Sequence, residues 1–315
     1  MRHRRVTVLG ASGFVGRYLV KHLAAEGAVI AAVSRHASDA GYLKPMGDVG
    51  QIQPIDADVL SDLALDAVVA EAEIVVNAVG ILFERGRQNF DAVHARLPAR
   101  VAAAAQKAGA RQILHISAIG ADPQSPAAYG RSKAAGEAAL RAVRPDAIIL
   151  RPSIVFGPED DFFNRFAGYA RVLPILPLIG GGTTRFQPVY VRDVASAAVA
   201  ALILPEAQGR IYELAGPRVL TFKELMELIL EVTRRSPPLI NVPVSLAAVK
   251  AWFLEFLPKP PLTRDQLRMM ERDNVPASGM PGLAALGIEP NSLEAILPTY
   301  LERFRHRGLW RPRTT

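Results

Sequence analysis

The residues best suited to chemistry in this chain are Tyr129 and Lys133, four positions apart, with Ser117 twelve positions before the tyrosine. On a helix, residues four apart share one face. An ammonium beside a phenol favours the phenolate, so we expect the pKa of Tyr129 to lie below its ordinary value of about 10. Ser117 would polarise a carbonyl or hydroxyl group of a bound molecule. These three residues predict a site that exchanges a proton near neutral pH.

The first strand-like run leads directly into a turn with Gly10, Gly13 and Gly16 and then into a helical pattern. Gly10 lets the chain turn sharply, Gly13 lacks the Cβ that would block a pyrophosphate, and Gly16 allows close packing of helix on strand. The N-terminal end of the helix would face the anion. Strand, glycine turn and helix together predict a dinucleotide-binding site, in which Lys133 would also hold a ribose.

The choice of nucleotide depends on the end of the second predicted strand, where NAD enzymes place an acid on the ribose hydroxyls. No carboxylate follows Val33 until Asp39, and Arg35 stands nineteen residues after Gly16. A guanidinium at this position can bind a 2′-phosphate. We therefore predict NADP(H) in preference to NAD(H); the alternative is a surface arginine with no role in binding.

Strand-like and helical patterns alternate over the first half of the chain. Predicted strands occupy residues 6–9, 29–33, 52–55, 74–79, 113–116 and 147–150, and predicted helices occupy 15–26, 60–72, 98–108 and 132–143. This alternation predicts an α/β fold with a Rossmann-type, doubly wound parallel sheet. Asp58, after the third strand, would face the adenine, and Gly80, after the fourth, would let the nucleotide lie against bare backbone.

The pattern changes after the sixth predicted strand, where prolines and the glycines at 180–182 predict an irregular excursion. Asp193 is placed to cap a helix over 194–204, and residues 211–215 would add a strand to the main sheet. We assign residues 1–155 and 186–216 to a nucleotide-binding domain, and 156–185 and 217–315 to a smaller C-terminal α/β lobe that docks a substrate or partner.

Composition limits the kinds of site. The 315 residues include no cysteine, which excludes disulfides, thiolate catalysis and Cys-ligated metals, and we predict no metal site.

The net charge is +7, with arginines near both ends at positions Arg2, Arg4, Arg5, Arg303, Arg305, Arg307, Arg311 and Arg313. These are either solvated ends or docking sites for an acidic partner or an anionic membrane surface. No basic and aromatic module accompanies them, so we do not predict nucleic-acid binding.

Membrane contact, if any, is expected to be peripheral. No apolar run approaches the roughly 20 residues that cross a bilayer. The glycine turn begins at Gly10, which leaves no room for a preceding signal or transit peptide, so we expect the chain to start in the cytoplasm. Residues 244–257, with Trp252, Phe253 and Phe256, could dock on a partner or lie at a membrane interface, or could close the core of the smaller lobe.

The glycine turn, together with Ser117, Tyr129 and Lys133, resembles the short-chain dehydrogenase/reductase superfamily in its extended or atypical branch, over roughly residues 5–216. The resemblance implies that these three residues form a catalytic set. The stretch 151–158 is similar to the segment that touches the nicotinamide and leads into the substrate lobe. The nucleotide contacts that the resemblance implies are Gly10, Ser12, Gly13, Phe14, Val15, Arg35, Asp58, Val59, Val79, Gly80, Tyr129, Lys133, Pro152, Ser153, Ile154 and Val155.

A narrower resemblance covers nearly the whole chain and points to the nucleotide-binding accessory subunit of respiratory complex I, NADH:ubiquinone oxidoreductase. It rests on LKPMGDVGQ at 43–51, FGPEDDFFN at 156–164, QPVYVRDV at 187–194, TRDQ at 263–266, PGL at 281–283 and LGI at 286–288. In that family NADPH is tightly held and thought to be structural, and the subunit lies on the peripheral arm near the membrane. The resemblance implies other complex I subunits as partners and, without a transit peptide, a bacterial version on the cytoplasmic side of the inner membrane.

Whether the chain also catalyses a reaction stays open, because Ser117, Tyr129 and Lys133 are all present. One alternative is a free-standing NADP-dependent reductase, or an epimerase or dehydratase acting on a nucleotide sugar or similar hydroxylated substrate. Tyr129 would then exchange a proton while the nicotinamide exchanges hydride. Another alternative is a non-catalytic redox sensor whose affinity for a partner depends on the bound nucleotide.

Overall fold

A seven-stranded parallel sheet forms the centre of the protein, whose computed structural model describes residues 1–257 and 260–305. The strands are β1 (Arg5–Leu9), β2 (Val29–Ser34), β3 (Ile52–Asp56), β4 (Ile74–Asn77), β5 (Gln112–Ile116), β6 (Ile148–Pro152), β7 (Val155–Phe156), β8 (Leu176–Ile179), β9 (Arg185–Phe186), β10 (Val189–Tyr190), β11 (Ile211–Leu214), β12 (Leu220–Thr221) and β13 (Leu239–Val242). The large sheet has the order β11-β6-β5-β4-β1-β2-β3. The predicted Rossmann-type fold and the added strand β11 are confirmed.

Helices cover both faces of this sheet. They are α1 (Phe14–Ala25), α2 (Asp62–Val69), α3 (Leu97–Lys107), α4 (Ala128–Val143), α5 (Phe162–Val172), α6 (Val191–Ile203), α7 (Phe222–Thr233), α8 (Val244–Leu254), α9 (Arg264–Met269) and α10 (Leu293–Leu301). Helices α1 and α6 pack on one face, and α2, α3 and α4 on the other. In β4, Ile74 and Val76 belong to the first buried cluster and Val75 to the second. Burial on both faces explains why the strands are continuous apolar runs.

The smaller lobe packs against the face that carries α1 and α6. It contains the parallel pair β8 and β13 and the antiparallel pair β9 and β12. One buried cluster runs from Val8 in the large sheet to Phe163, Phe222 and Leu297 in α5, α7 and α10. The two lobes therefore share a core, and the predicted domain limits stay a prediction.

Several predicted elements differ from the structure. Helix α4 begins at Ala128, four residues before the predicted start, so Tyr129 lies in its first turn. The excursion predicted as irregular contains α5 and β8. The predicted cap at Asp193 is wrong: α6 begins at Val191, and Asp193 accepts hydrogen bonds from the backbone N and Nδ2 of Asn291 at 2.8 and 2.6 Å. This carboxylate ties α6 to the segment before α10.

Helix α8 exposes its large apolar side chains. Trp252, Phe253 and Phe256 are 45%, 63% and 74% exposed, while Ala247 and Ala251 face inward. The interpretation that the large side chains close the core is therefore wrong. None of the helices in the described chain is long and apolar enough to cross a bilayer.

The basic ends are only partly described. Arg4 pairs with Glu73 over 3.5 Å, and Arg305 pairs with Glu302. Both are ordinary ion pairs at the protein surface, where such pairs contribute little to stability. The predicted docking role of Arg307, Arg311 and Arg313 falls outside the described residues.

Candidate functional site

The turn between β1 and α1 needs glycine at two positions. Gly10 has a φ of +79°, and its N–H donates to the Val33 carbonyl oxygen at 3.0 Å. A Cβ at Gly16 would lie 2.1 Å from the Gly10 carbonyl oxygen. A Cβ at Gly13 would meet that oxygen at 3.2 Å, and on its other sides it would project into open space among the described residues. Gly16 thus allows helix packing, and Gly13 leaves a cradle that a side chain would fill.

This cradle fits the pyrophosphate of a dinucleotide. The N-cap of α1 is Gly13, which has no side chain to cap the helix, and the first turn carries no acidic residue. The N–H groups of that turn and the positive end of the helix dipole therefore point at the cradle. The turn lies beside β4 at the point where the strand order reverses, which is where such sheets bind nucleotides.

The other predicted nucleotide contacts lie at the same edge of the sheet, because the strands are parallel. Arg35 directly follows β2 and is exposed. Asp58 Oδ1 accepts a hydrogen bond from the Leu60 N–H at 3.0 Å. Gly80 is exposed, and a Cβ there would lie 3.6 Å from Lys133 Nζ. At or after the ends of β1, β3, β4 and β6 lie Ser12, Phe14, Val15, Val59, Val79, Pro152, Ser153, Ile154 and Val155.

Tyr129 and Lys133 come together on one face of α4. Lys133 Nζ lies 5.9 Å from the centroid of the Tyr129 ring and donates to the Ile116 carbonyl oxygen at 3.3 Å. Burial lowers the pKa of Lys133 to about 8, although Glu137 opposes the shift. Burial raises the pKa of Tyr129 to about 12. The predicted lowering of the Tyr129 pKa is therefore wrong for the protein alone, and the phenol keeps its proton at neutral pH.

Ser117 belongs to a buried ionic network behind this pair. Its hydroxyl donates to the Glu137 carboxylate, and Ser117 and Glu137 are both buried. Arg151 Nη2 donates to Glu137 Oε2 at 2.6 Å, and Arg151 Nη1 donates to Glu213 Oε1 at 3.2 Å. The hydroxyl that the sequence assigns to a substrate thus has a charged partner inside the protein.

No pattern in the sequence indicates a role for His94. A π-helical turn, Asp91–Arg96, places this buried ring beside Tyr129, with the ring centroids 5.2 Å apart. Nε2 accepts from the Ile81 N–H at 3.0 Å, so Nδ1 carries the proton and donates to Ser132 Oγ at 3.1 Å. Burial lowers the pKa of His94 to about 2. His94 is a neutral hydrogen-bonding link between α4 and the chain after β4.

Two residues of the smaller lobe also reach the site. The Asp265 carboxylate accepts from the N–H groups of Ala128 and Tyr129 at 2.7 and 2.9 Å. Asn274 Oδ1 accepts from Ser153 Oγ at 2.7 Å and from the Ile154 N–H at 3.0 Å. Both contacts join residues more than a hundred positions apart, so no local pattern indicates them.

A family model described as the NAD dependent epimerase/dehydratase family matches residues 6–215. The chain belongs to this family. The matched residues extend from β1 through β11. A solved structure described as MoeE5 in complex with UDP-glucuronic acid and NAD has a TM-score of 0.71 and 20% identity, covering 95% of this chain and 98% of that one. At this identity the likeness shows the fold.

Two curated relatives of this chain differ in their described roles. The Arabidopsis thaliana protein "NADH dehydrogenase (ubiquinone) 1 alpha subcomplex subunit 9, mitochondrial" is 35% identical over 314 residues, covering 96% of this chain and 78% of its own length. The Caulobacter vibrioides protein "Ceramide reductase" is 31% identical over 254 residues, covering 78% of each chain. The first match confirms the resemblance to the complex I accessory subunit. The chain is a member of the family that contains this subunit.

Proposed function

We propose that this protein is an accessory subunit of respiratory complex I in which NADP(H) is a built-in, stabilising component of the peripheral arm. The single observation that carries the proposal is the 35% identity to a complex I subunit over 96% of the chain. The glycine cradle supports nucleotide binding. Under this proposal the partners are other complex I subunits, on the cytoplasmic side of a bacterial inner membrane.

A structural use of the nucleotide is supported by the state of the Ser117, Tyr129 and Lys133 set. Tyr129 has a pKa raised to about 12, and the Ser117 hydroxyl is held by Glu137. A proton-transfer catalyst works best with a pKa near the operating pH. A nucleotide at one hundred times its dissociation constant stabilises the folded chain by about 2.7 kcal/mol, which suffices for a structural role.

NADP(H) in preference to NAD(H) is supported by Arg35. Its guanidinium is free to reach a 2′-phosphate because the side chain is exposed directly after β2. Ser34, the residue before it, is buried and uncharged, and its hydroxyl donates to the His36 carbonyl oxygen at 3.3 Å. No Asp or Glu that could accept hydrogen bonds from the ribose hydroxyls stands between Val33 and Asp39.

The exposed aromatic side chains of α8 and the turn after it support this helix as the surface that docks on the complex. Aromatic residues are enriched at the centres of protein interfaces, and Trp252, Phe253 and Phe256 stand exposed on one helix and the turn after it. The ring centroids of Trp252 and Phe253 lie 4.7 Å apart, and those of Trp252 and Phe256 lie 5.5 Å apart. We assign this cluster to contact with an apolar surface of a neighbouring subunit.

A second function, a free-standing NADP-dependent reductase, is favoured by the Caulobacter relative described as a ceramide reductase and by the presence of Ser117, Tyr129 and Lys133. In this function Tyr129 would give a proton to a substrate oxygen while the nucleotide supplies hydride. Lys133, with its pKa lowered to about 8, would lie beside the phenol as the nearby cation.

Replacing Tyr129 with Phe in the native cell separates the two functions. For an accessory subunit we expect the complex to assemble with full respiratory NADH oxidation, because the ring packing is kept and only the hydroxyl is lost. Tyr212→Phe, a buried tyrosine of β11, is the matched control. If the complex assembles normally but the cell no longer makes a reduced product that it makes with the unaltered protein, the result would favour the reductase and contradict the proposal.

A further inference from the structure

We propose that the segment 263–277 of the smaller lobe is a strap that positions the nicotinamide half of the nucleotide site, with Asp265 and Asn274 as its positioning residues. The inference rests on the proposed nucleotide binding and adds residues that lie outside the nucleotide-binding half of the fold. It requires the carboxylate and the amide to hold the loops after β5 and β6 and the start of α4.

Asp265 supplies the cap that α4 lacks. The N-cap of α4 is Ala127, whose side chain cannot accept a hydrogen bond. The Asp265 carboxylate accepts from the Ala128 and Tyr129 N–H groups at 2.7 and 2.9 Å, and it places a negative charge at the positive end of the helix. The helix that carries Tyr129 and Lys133 is therefore fixed at its first turn by the other lobe.

Asn274 connects two further walls of the same site. Its Oδ1 accepts from Ser153 Oγ and from the Ile154 N–H, both in the connection between β6 and β7. Its Nδ2 donates to the Ile119 carbonyl oxygen after β5 at 3.4 Å. One amide thus bridges two loops that follow adjacent strands of the sheet, at the edge where the nicotinamide would lie.

The strap is itself anchored at both ends. At its start, the Arg264 N–H donates to Glu255 Oε1 at 2.7 Å, which joins the strap to the end of α8. At the other end, the Ala277 N–H donates to Glu213 Oε2 at 2.7 Å, which joins the strap to the Arg151 network behind Ser117. Because its ends are fixed, the strap can transmit a definite position to Asp265 and Asn274.

The two halves of a nucleotide distinguish positioning from general support. The glycine turn and Arg35 face the pyrophosphate and adenosine half, whereas the strap holds the loops at the other half. NADPH should depend on the strap, and 2′,5′-ADP, which lacks the nicotinamide half, should not. A variant that only destabilises the fold would weaken both ligands.

The test measures the dissociation constants of NADPH and 2′,5′-ADP for the full chain and for Asp265→Ala, Asp265→Asn and Asn274→Ala. Arg272→Ala is the control, because it removes an exposed ion pair between the strap and Asp122 without touching α4. We expect Asp265→Ala to weaken NADPH about ten-fold, the effect of losing roughly one charge-assisted hydrogen bond, and to change 2′,5′-ADP less than two-fold. Asp265→Asn keeps one acceptor and should lie between.

Two results would overturn the strap. One is equal weakening of both ligands in the Asp265 and Asn274 variants, and the other is unchanged NADPH affinity in variants that fold. Failure of the cofactor proposal looks different: the unaltered chain would then prefer NADH. In that case the same variants are measured with NADH and ADP, and the ratio of the two effects decides the role of the strap.

Discussion

The Ser117 hydroxyl donates a hydrogen bond to the Glu137 carboxylate, which also binds Arg151. Glu137 lies one helical turn after Lys133 on α4, so the residue that balances the lysine charge also holds the serine. The set that the sequence assigns to catalysis is therefore connected through a buried ionic network. This connection gives Ser117 a role in stability.

Ser117→Ala tests that role. We expect the free energy of unfolding to fall by about 1.5–3 kcal/mol, because a hydrogen bond to a buried charged group is lost. Nucleotide retention and assembly of the complex should be unchanged. Chemical denaturation measures the free energy of unfolding, and the amount of co-purified nucleotide measures nucleotide retention. Unchanged stability with lost NADH oxidation would instead place the hydroxyl on a substrate.

Gly13→Val tests the cradle. The added side chain should exclude the pyrophosphate, since its Cβ already meets the Gly10 carbonyl oxygen at 3.2 Å. We expect loss of bound nucleotide and reduced recovery of the assembled complex. Gly41→Val is the matched control, because no atom lies within 4 Å of a Cβ there. Normal assembly without nucleotide would show that the nucleotide does not stabilise the complex.

Arg35→Asp tests the choice of nucleotide. A carboxylate at the end of β2 should repel a 2′-phosphate and accept hydrogen bonds from ribose hydroxyls. We expect the preference to move from NADPH toward NADH by at least ten-fold, measured as the ratio of dissociation constants. Arg111→Asp is the control, since Arg111 precedes β5 at the opposite edge of the sheet. An unchanged ratio would refute the role of Arg35.

Local patterns in the sequence were sufficient for the glycine turn and for the shared face of Tyr129 and Lys133, because both depend on residues a few positions apart. The cap from Asp265 was not predictable, since its partners lie 136 and 137 positions away. The raised pKa of Tyr129 depends on burial, which spacing alone does not give. His94 was missed because a π-helical turn leaves no distinct pattern in an alanine-rich stretch.

His115→Leu tests a pH dependence that follows from burial. His115 is fully buried, and burial lowers its pKa from 6.5 to about 3. Below pH 6.5 the His115 ring therefore binds a proton in the unfolded chain but stays neutral in the folded chain until the pH approaches 3. Stability is fully present above pH 6.5 and is lost as the pH falls toward 3, by about 2 kcal/mol between pH 7 and pH 5 for this group.

His115→Leu should reduce the loss of stability between pH 7 and pH 5. The part of the loss that comes from His94, whose pKa is also lowered by burial, should remain. Urea denaturation of the nucleotide-free protein at pH 7 and pH 5 measures the difference. His36→Gln, which changes an exposed ring, should leave the slope unchanged. Equal slopes in His115→Leu and the unaltered protein would show that this ring titrates in the folded state.

The most direct test of the central claim is to affinity-tag the protein in its native cell, solubilise the membranes gently, and quantify the subunits and nucleotide that co-purify. We predict stoichiometric complex I subunits and about one NADP(H) per chain. Substituting Ser for Trp252, Phe253 and Phe256 should release the protein from the complex, with its nucleotide retained. Recovery of the unaltered protein only in free form, or on lipid without complex I subunits, would contradict the account.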